Sequence, residues 1–128
     1  MKKGGIWITL SGIAFIVFQS FSIMSLQEQQ IPDDVNEVLQ TSCFGCHNNE
    51  AGSKDAREAF NLETWNEYRL TKKIGLLGEI SEVVQEGKMP PARFLESNPD
   101  RKLTEAQKKL IIEWAEKESR NLMEGSSQ

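Results

Sequence analysis

The clearest hydrophobic pattern in this chain lies in its second half, where apolar residues recur every three or four positions. These positions are Leu70, Ile74, Leu77, Ile80 and Val84. Such spacing predicts an amphipathic helix, because residues three and four apart share one helix face. Gly87 follows directly and is a natural end for this helix, since glycine readily adopts the left-handed conformation that terminates helices.

Two further helices are predicted, one on each side of this segment. The first can be capped by Asp33 or Asp34 and runs into Cys43. Its apolar positions are Val35, Val38 and Leu39. The last begins at Thr104, which forms a capping box with Gln107. Its apolar positions are Leu103, Leu110, Ile111, Trp114 and Ala115.

The intervening segments carry weaker patterns. Residues 48–58 show no strand alternation and predict a loop, whereas residues 63–70 predict a short helix. Residues 88–91 read Lys-Met-Pro-Pro, which enforces an extended backbone. An irregular stretch is expected from there through Pro99. No segment resembles a strand, so we expect an all-α protein.

The chain divides into four parts on this interpretation. Residues 1–26 form a hydrophobic export segment and residues 27–32 a polar linker. Residues 33–122 form one helical domain, and residues 123–128 form a polar tail.

The export segment begins with Lys2 and Lys3, and the stretch from Ile6 to Leu26 has no charged residue. It is long enough to span a bilayer as a retained signal anchor, which takes about 20 apolar residues. Cleavage as a signal peptide is the alternative, with small residues at Ser20 and Ser22. Either fate places residues 27–128 in the periplasm, tethered to the inner membrane if the segment is retained.

The formal net charge of −4 places only a weak constraint on the partners of the protein. An acidic balance argues against nucleic acid and anionic membrane surfaces as partners. Basic or neutral proteins remain as the expected partners.

The scarce reactive side chains are concentrated in one place. The chain has two cysteines and one histidine, and they lie together as Cys43-Phe44-Gly45-Cys46-His47. This C-x-x-C-H pattern is typical of c-type haem attachment. Two thiols three positions apart can form thioethers with the vinyl groups on one porphyrin edge, and the following histidine then faces the iron. Gly45 leaves room for the turn to lie close to the macrocycle.

Three other interpretations of the motif compete with haem. A zinc site would need a fourth ligand, which only a carboxylate or water could supply because the chain has no other cysteine or histidine. A thioredoxin-like redox pair should open a helix beside a βαβ unit. A structural disulfide would close too short a loop to gain much stability and leaves His47 unexplained.

The second axial ligand must be sought among the methionines, since no second histidine exists. Beyond the export segment these are Met89 and Met123. Met123 lies in the polar tail, whereas Met89 stands between a helix stop and two prolines that present it from a stiff loop. We therefore expect Met89 to be the distal iron ligand. Filling a gap in the core is the alternative role for this side chain.

The order of these segments resembles class I c-type cytochromes. It is most similar to the bacterial haem-binding domain family of small monohaem proteins, over residues 31–120. The similarity lies in residues 31–48, the Phe-Asn-Leu-Glu-Thr-Trp run at 60–65, the Gly-Lys-Met-Pro-Pro run at 87–91, and residues 103–115.

The resemblance implies a small cytochrome c-like helical domain wrapped around one covalent haem c. It implies thioethers at Cys43 and Cys46, His47 as proximal ligand and Met89 as distal ligand. The first and last helices would cross to close the cleft. Many class I cytochromes orient the proximal histidine with a proline carbonyl, but no proline lies between His47 and Pro90. Another carbonyl, near Asn61 or Leu62, is expected in that role.

The functional expectation is one-electron transfer between redox partner proteins rather than enzymatic turnover. A haem-based gas or redox sensor with a displaceable Met89 is the alternative. Peroxidase chemistry lacks support, because a single haem with no spare histidine has no distal acid–base group.

One arginine and several aromatic residues are candidates for contacts with the cofactor; the aromatic residues are Phe60, Trp65, Tyr68, Phe94 and Trp114. Trp114 and Phe60 are expected in the core, and packing on the haem face is the alternative for Trp114. Trp65 and Tyr68 have polar groups that could meet a haem propionate. Arg93 could pair with a propionate, but exposure to solvent is the expectation for this side chain.

Overall fold

The computed structural model of the chain describes residues 30–127. The predicted export segment lies outside the described residues, and so do the first positions of the linker. Within residues 30–127 there are helices and turns but no strand, which confirms the all-α prediction for this part of the chain. None of the helices found there is both long and apolar enough to cross a membrane.

The described residues form five α-helices. Their bounds are Asp33–Ser42 (α1), Lys54–Ala59 (α2), Leu70–Gln85 (α3), Ala92–Ser97 (α4) and Glu105–Gly125 (α5). Two 3-10 helices, Leu62–Glu67 and Pro99–Arg101, lie before α3 and after α4.

Helices α3 and α5 pack against each other along much of their length, and α1 also contacts α5. The predicted crossing of the first and last helices requires such a contact. The apolar faces of the three helices meet in one core, to which the segment between α2 and α3 adds aromatic rings. Its buried members are Val35, Val38, Leu39, Phe60, Trp65, Leu76, Leu77, Val84, Leu103, Ile111, Trp114, Ala115 and Leu122.

Two helix ends form as the sequence predicts. The Thr104 side chain accepts from the Gln107 N–H at 3.2 Å, and the Gln107 side chain accepts from the Thr104 N–H at 2.9 Å. Gly87 has φ of +69°. The N–H groups of Gly87 and Lys88 donate to the carbonyls of Val84 and Val83 at 3.1 and 2.9 Å. This pair of bonds is the Schellman arrangement, which ends α3 and directs the chain toward Met89.

Two predicted irregular segments contain helices instead. Residues 54–59 form α2 within the stretch predicted as a loop, and residues 92–97 form α4 within the stretch predicted as irregular. Ser53 caps α2 by accepting from the Ala56 N–H at 3.3 Å. Each helix has six residues and no fully buried side chain, so neither carries the apolar periodicity from which a helix is recognised.

Smaller corrections concern helix boundaries. Neither Asp33 nor Asp34 caps α1: its N-cap is Pro32, without a side-chain bond. The Asp34 carboxylate instead accepts from the adjacent Val35 N–H at 2.9 Å. Both aspartates still lie in the first turn, where negative charge is favourable. Helix α5 continues to Gly125, so the first residues of the predicted polar tail are helical.

Candidate functional site

A cavity of about 460 Å³ opens beside the cysteine turn. It lies between the end of α1, the helix α2 and the segment that leads into α4. Its lining is mostly apolar and consists of Ser42, Cys43, Cys46, His47, Ser53, Asp55, Ala56, Ala59, Met89, Pro90, Pro91 and Phe94.

A second, smaller recess of about 120 Å³ adjoins this cavity on the side of the core. Cys43, His47, Ala59 and Met89 line both spaces. The recess reaches inward to apolar side chains of α1, α3 and α5, among them Leu39, Ile80, Val83 and Ile111. The two spaces therefore form one cleft around His47 and Met89.

The cysteine turn follows α1 without a break. The N–H groups of Cys46 and His47 both donate to the Cys43 carbonyl at 3.1 Å, which closes the chain into a tight turn. Both thiols are free and half-buried. A Cβ built on Gly45 would lie 3.9 Å from the Phe94 ring. That is ordinary contact, so this turn does not require glycine on steric grounds.

The environment of Cys43 bears on the competing interpretations of the motif. Burial, and to a lesser degree the nearby Cys46, raises the pKa of the Cys43 thiol to about 11. A raised pKa disfavours the thiolate that a thioredoxin-like pair uses for disulfide exchange. Among residues 30–127 no three His, Cys, Asp or Glu side chains converge as metal ligands do. The geometry thus gives no support to the zinc and thioredoxin-like interpretations.

The imidazole of His47 has a defined tautomer. Its Nδ1 lies 3.0 Å from the Ala56 carbonyl and 2.9 Å from the Phe60 carbonyl. Carbonyl oxygens only accept hydrogen bonds, so Nδ1 must carry the proton. The neutral ring then has its lone pair on Nε2, which is the atom free to bind a metal.

One of the two carbonyls that orient His47 lies where the sequence placed it: the Phe60 carbonyl is adjacent to Asn61, as the prediction of a carbonyl near Asn61 or Leu62 requires. The Ala56 carbonyl was not predicted. Leu62 bonds to the backbone of His47 and not to its ring: the Leu62 N–H donates to the His47 carbonyl at 3.0 Å. The helical composition of residues 54–59 and their serine cap were the available signals for α2. Nothing in the sequence indicated that its last turn would face His47.

Met89 enters the cleft from the end of α3. Its N–H donates to the Val83 carbonyl at 3.3 Å, extending the turn that Gly87 makes. The side chain is half-buried and lines both parts of the cleft. Met123 is 45% exposed on α5 and lines neither part. The structure therefore brings Met89, but not Met123, to the cleft that His47 lines.

Trp114, Trp65 and Tyr68 belong to the core rather than to the cleft. Trp114 lines neither part of the cleft, and its ring packs on Trp65 at a centroid distance of 6.1 Å, which agrees with the core role expected for it. The Trp65 ring is also buried, and Lys73 Nζ lies 5.4 Å from its centre. The Tyr68 hydroxyl accepts from the Asn61 N–H at 2.9 Å and is thereby engaged away from the cavity.

Two neighbouring residues of α4 differ in their relation to the cavity. Phe94, from the unpredicted helix α4, lines the cavity and approaches the cysteine turn. The sequence analysis names Phe94 among the aromatic candidates, but it did not place this residue at the cavity, since α4 itself was not predicted. Arg93, on the same helix, is exposed to solvent as expected.

Comparison with known proteins adds one decisive observation. The profile of the haem-binding domain family matches residues 52–117, which is half of the chain. The chain belongs to the haem-binding domain family. This confirms the family resemblance found in the sequence. No curated protein and no solved structure matches the chain.

The matched segment and the cysteine motif do not overlap. The family match begins at residue 52, after Cys43, Cys46 and His47. The fold nevertheless joins them, because the cavity is lined by the motif on one side and by Ala56, Ala59 and other matched residues on the other. The motif and the matched residues therefore line the same cavity.

The residues present fit a haem. The cavity volume of about 460 Å³ falls in the range of roughly 300–1,000 Å³ typical of cofactor sites. The lining is apolar, as a porphyrin requires, and two free thiols lie at its edge. One imidazole nitrogen is available for iron, and a thioether lines the same cleft. Haem is therefore the cofactor that this site supports.

Proposed function

We propose that the protein is a monohaem c-type cytochrome that transfers single electrons between redox partner proteins in the periplasm. One observation carries the proposal. His47, with its Nδ1 proton held by two carbonyls, shares an apolar cleft with Met89 and with the free thiols of Cys43 and Cys46.

Each of these residues has one role in the proposal. Cys43 and Cys46 hold haem c through thioethers, and His47 binds iron through Nε2. Met89 supplies the distal ligand. When bound, the haem supplies a one-electron redox centre, whose potential a histidine–methionine ligand pair raises relative to harder ligand pairs.

The polypeptide contributes orientation and exclusion of water. The carbonyls of Ala56 and Phe60 fix the plane of the His47 ring. Apolar side chains around the cleft, including Ile80, Val83 and Phe94, keep water from the ligands. With His47 and Met89 both bound to iron, no open site would remain for a substrate, which favours electron transfer over oxygen chemistry.

The place of action follows from the first residues of the chain. Positive charge followed by a long uncharged apolar stretch favours export of the domain. We propose that the domain acts in the periplasm, held at the inner membrane if residues 6–26 are retained or free there after cleavage.

The first experiment measures the covalent link. The protein is expressed together with the haem-maturation machinery, and its intact mass and pyridine haemochrome spectrum are recorded. We expect the mass of polypeptide plus one haem and a band at the position typical of two thioethers. A mass equal to that of the bare polypeptide, with free or mutually oxidised thiols, would falsify the proposal.

The second experiment tests the distal ligand. Met89→Ala is expected to keep the covalent haem but to lose the low-spin ferric spectrum, since the iron loses a strong-field ligand. Met123→Ala is the matched control and should leave the spectrum unchanged. An unchanged spectrum in Met89→Ala would show that another group binds the iron.

Carbon monoxide separates the carrier from a haem-based sensor. A carrier with firmly bound Met89 should not bind the gas at rest in the ferrous state. Ready binding by the wild-type protein would instead favour a sensor in which Met89 is displaced.

A further inference from the structure

Three hydrogen bonds join the turn that contains His47 to the segment that follows α2. The Leu62 N–H donates to the His47 carbonyl at 3.0 Å. The Asn61 Nδ2 donates to the Asn49 Oδ1 at 2.7 Å, and the Asn49 N–H donates to the Glu63 carboxylate at 2.6 Å. Backbone and side-chain bonds therefore hold the two segments side by side.

Asn61 is the centre of this arrangement. Its side chain is only 7% exposed, and each of its polar groups has a partner. The Oδ1 accepts from the Glu63 N–H at 3.0 Å, while the Nδ2 binds Asn49. The backbone N–H donates to the Tyr68 hydroxyl at 2.9 Å. A buried asparagine bonded at every group permits one orientation of the backbone around it.

That orientation bears directly on His47. The N–H of Asn61 and the carbonyl of Phe60 belong to the same planar peptide group and point in opposite directions. The N–H is held by the Tyr68 hydroxyl, and the carbonyl accepts from His47 Nδ1 at 2.9 Å. Rotation of this peptide would break both bonds, so Tyr68 acts on the imidazole through the peptide.

We infer that Asn61 and Tyr68 are positioning residues for the proximal histidine. They hold the peptide between residues 60 and 61 so that its carbonyl, together with that of Ala56, fixes the proton and the ring plane of His47. The inference rests on the proposed function, because it gives His47 the role of iron ligand. A carbonyl bonded to Nδ1 makes the imidazole a more basic ligand, which favours ferric over ferrous iron.

The test uses the matured haem protein and two variants. Tyr68→Phe removes one hydroxyl oxygen, and Asn49→Ala removes the acceptor for the Asn61 amide without touching Asn61. Thr104→Ala is the control, because it removes a helix cap on α5 that does not contact this network. His47 is the single histidine of the chain, so histidine-specific ¹⁵N labelling gives one imidazole spectrum.

The first readout is the exchange of the His47 Nδ1 proton with D₂O in the reduced, diamagnetic protein. We expect slow exchange in the wild type. In both variants exchange should be roughly five- to tenfold faster, the factor expected for the loss of one hydrogen bond. The second readout is the midpoint potential, which should rise in both variants and stay constant in Thr104→Ala.

Unchanged exchange in both variants would overturn the inference. The inference would also be overturned if Tyr68→Phe alone changed the midpoint potential while the His47 proton stayed protected from exchange. That result would indicate a direct contact of the Tyr68 hydroxyl with the cofactor. Failure of the proposed function would be seen in the intact mass, since wild-type protein would then lack the added mass of haem. The two failures are therefore distinguishable.

Discussion

The α3–α5 pair and the chain around the cavity differ in how their side chains are used. Helix α3 buries Leu76, Leu77, Ser81 and Val84, and α5 buries Ile111, Trp114, Ala115 and Leu122. Helices α2 and α4 bury no residue fully, although both contribute to the cavity wall. The pair therefore supplies much of the shared core and reaches the cleft only at the inner recess, whereas α2 and α4 face a space sized for a cofactor.

This difference indicates where stability depends on the ligand. Helices of six residues are too short to be stable alone, and most helical stability in proteins comes from tertiary packing. In α2 and α4 that packing must come largely from whatever fills the cleft. We therefore expect haem attachment to stabilise the cavity wall more than the helix pair.

The largest effect is expected from removing both thiols. Cys43→Ala combined with Cys46→Ala should abolish covalent haem and leave poorly folded protein, because the haem supplies much of the apolar interior. Backbone amide exchange, followed by mass spectrometry, should rise most in α2 and α4 and least where α3 packs on α5. A double variant that folds cooperatively, with equal protection in both regions, would contradict this comparison.

A substitution in the helix pair should destabilise the protein without changing the haem ligands. Leu77 is fully buried, so Leu77→Ala should lower the free energy of unfolding by about 3 kcal/mol. Leu70→Ala, on the same helix but at a side chain 39% exposed, is the matched control and should cost less than about 1 kcal/mol. Urea unfolding gives the energies. An altered ferric spectrum in folded Leu77→Ala protein would show that the two regions are coupled.

The smallest effect is expected at the junction of the two regions. Gly87 has φ of +69°, and a side chain in this conformation costs about 1–2 kcal/mol. Gly87→Ala should lower stability by that amount. It should also reduce the low-spin ferric signal that Met89 ligation produces, since the turn sets the direction of the Met89 segment. Gly78→Ala, within α3 and with open space around it, should instead raise stability by about 1 kcal/mol. If Gly87→Ala and Gly78→Ala changed the stability equally, the left-handed conformation at Gly87 would have no special role in ending α3.

The predictions that the structure confirms rest on residues close together in the chain. The apolar spacing from Leu70 to Val84 predicts α3, and Gly87 marks its end because glycine alone takes the left-handed turn without strain. Thr104 and Gln107 likewise define the start of α5. These features depend on residues close together in the chain, so no knowledge of the fold is required.

The errors arose where distant segments decide the structure. Helices α2 and α4 are short and half-exposed, so neither has the periodicity that marks a helix. The sequence left open whether Trp114 lies in the core or at the haem face, and the structure gives it Trp65 as a partner, which reaches it from the segment before α3. The Tyr68 hydroxyl likewise meets a backbone N–H and does not line the cavity.

The amino-acid sequence by itself determined the helical class, the main helices and the candidate ligands Cys43, Cys46, His47 and Met89. Only the tertiary structure decided that Met89 reaches the cleft lined by His47, and that the carbonyls of Ala56 and Phe60 hold its Nδ1 proton. The physical reason is that every residue has a carbonyl. A backbone acceptor therefore leaves no mark in the sequence, and its role depends on where folding places it.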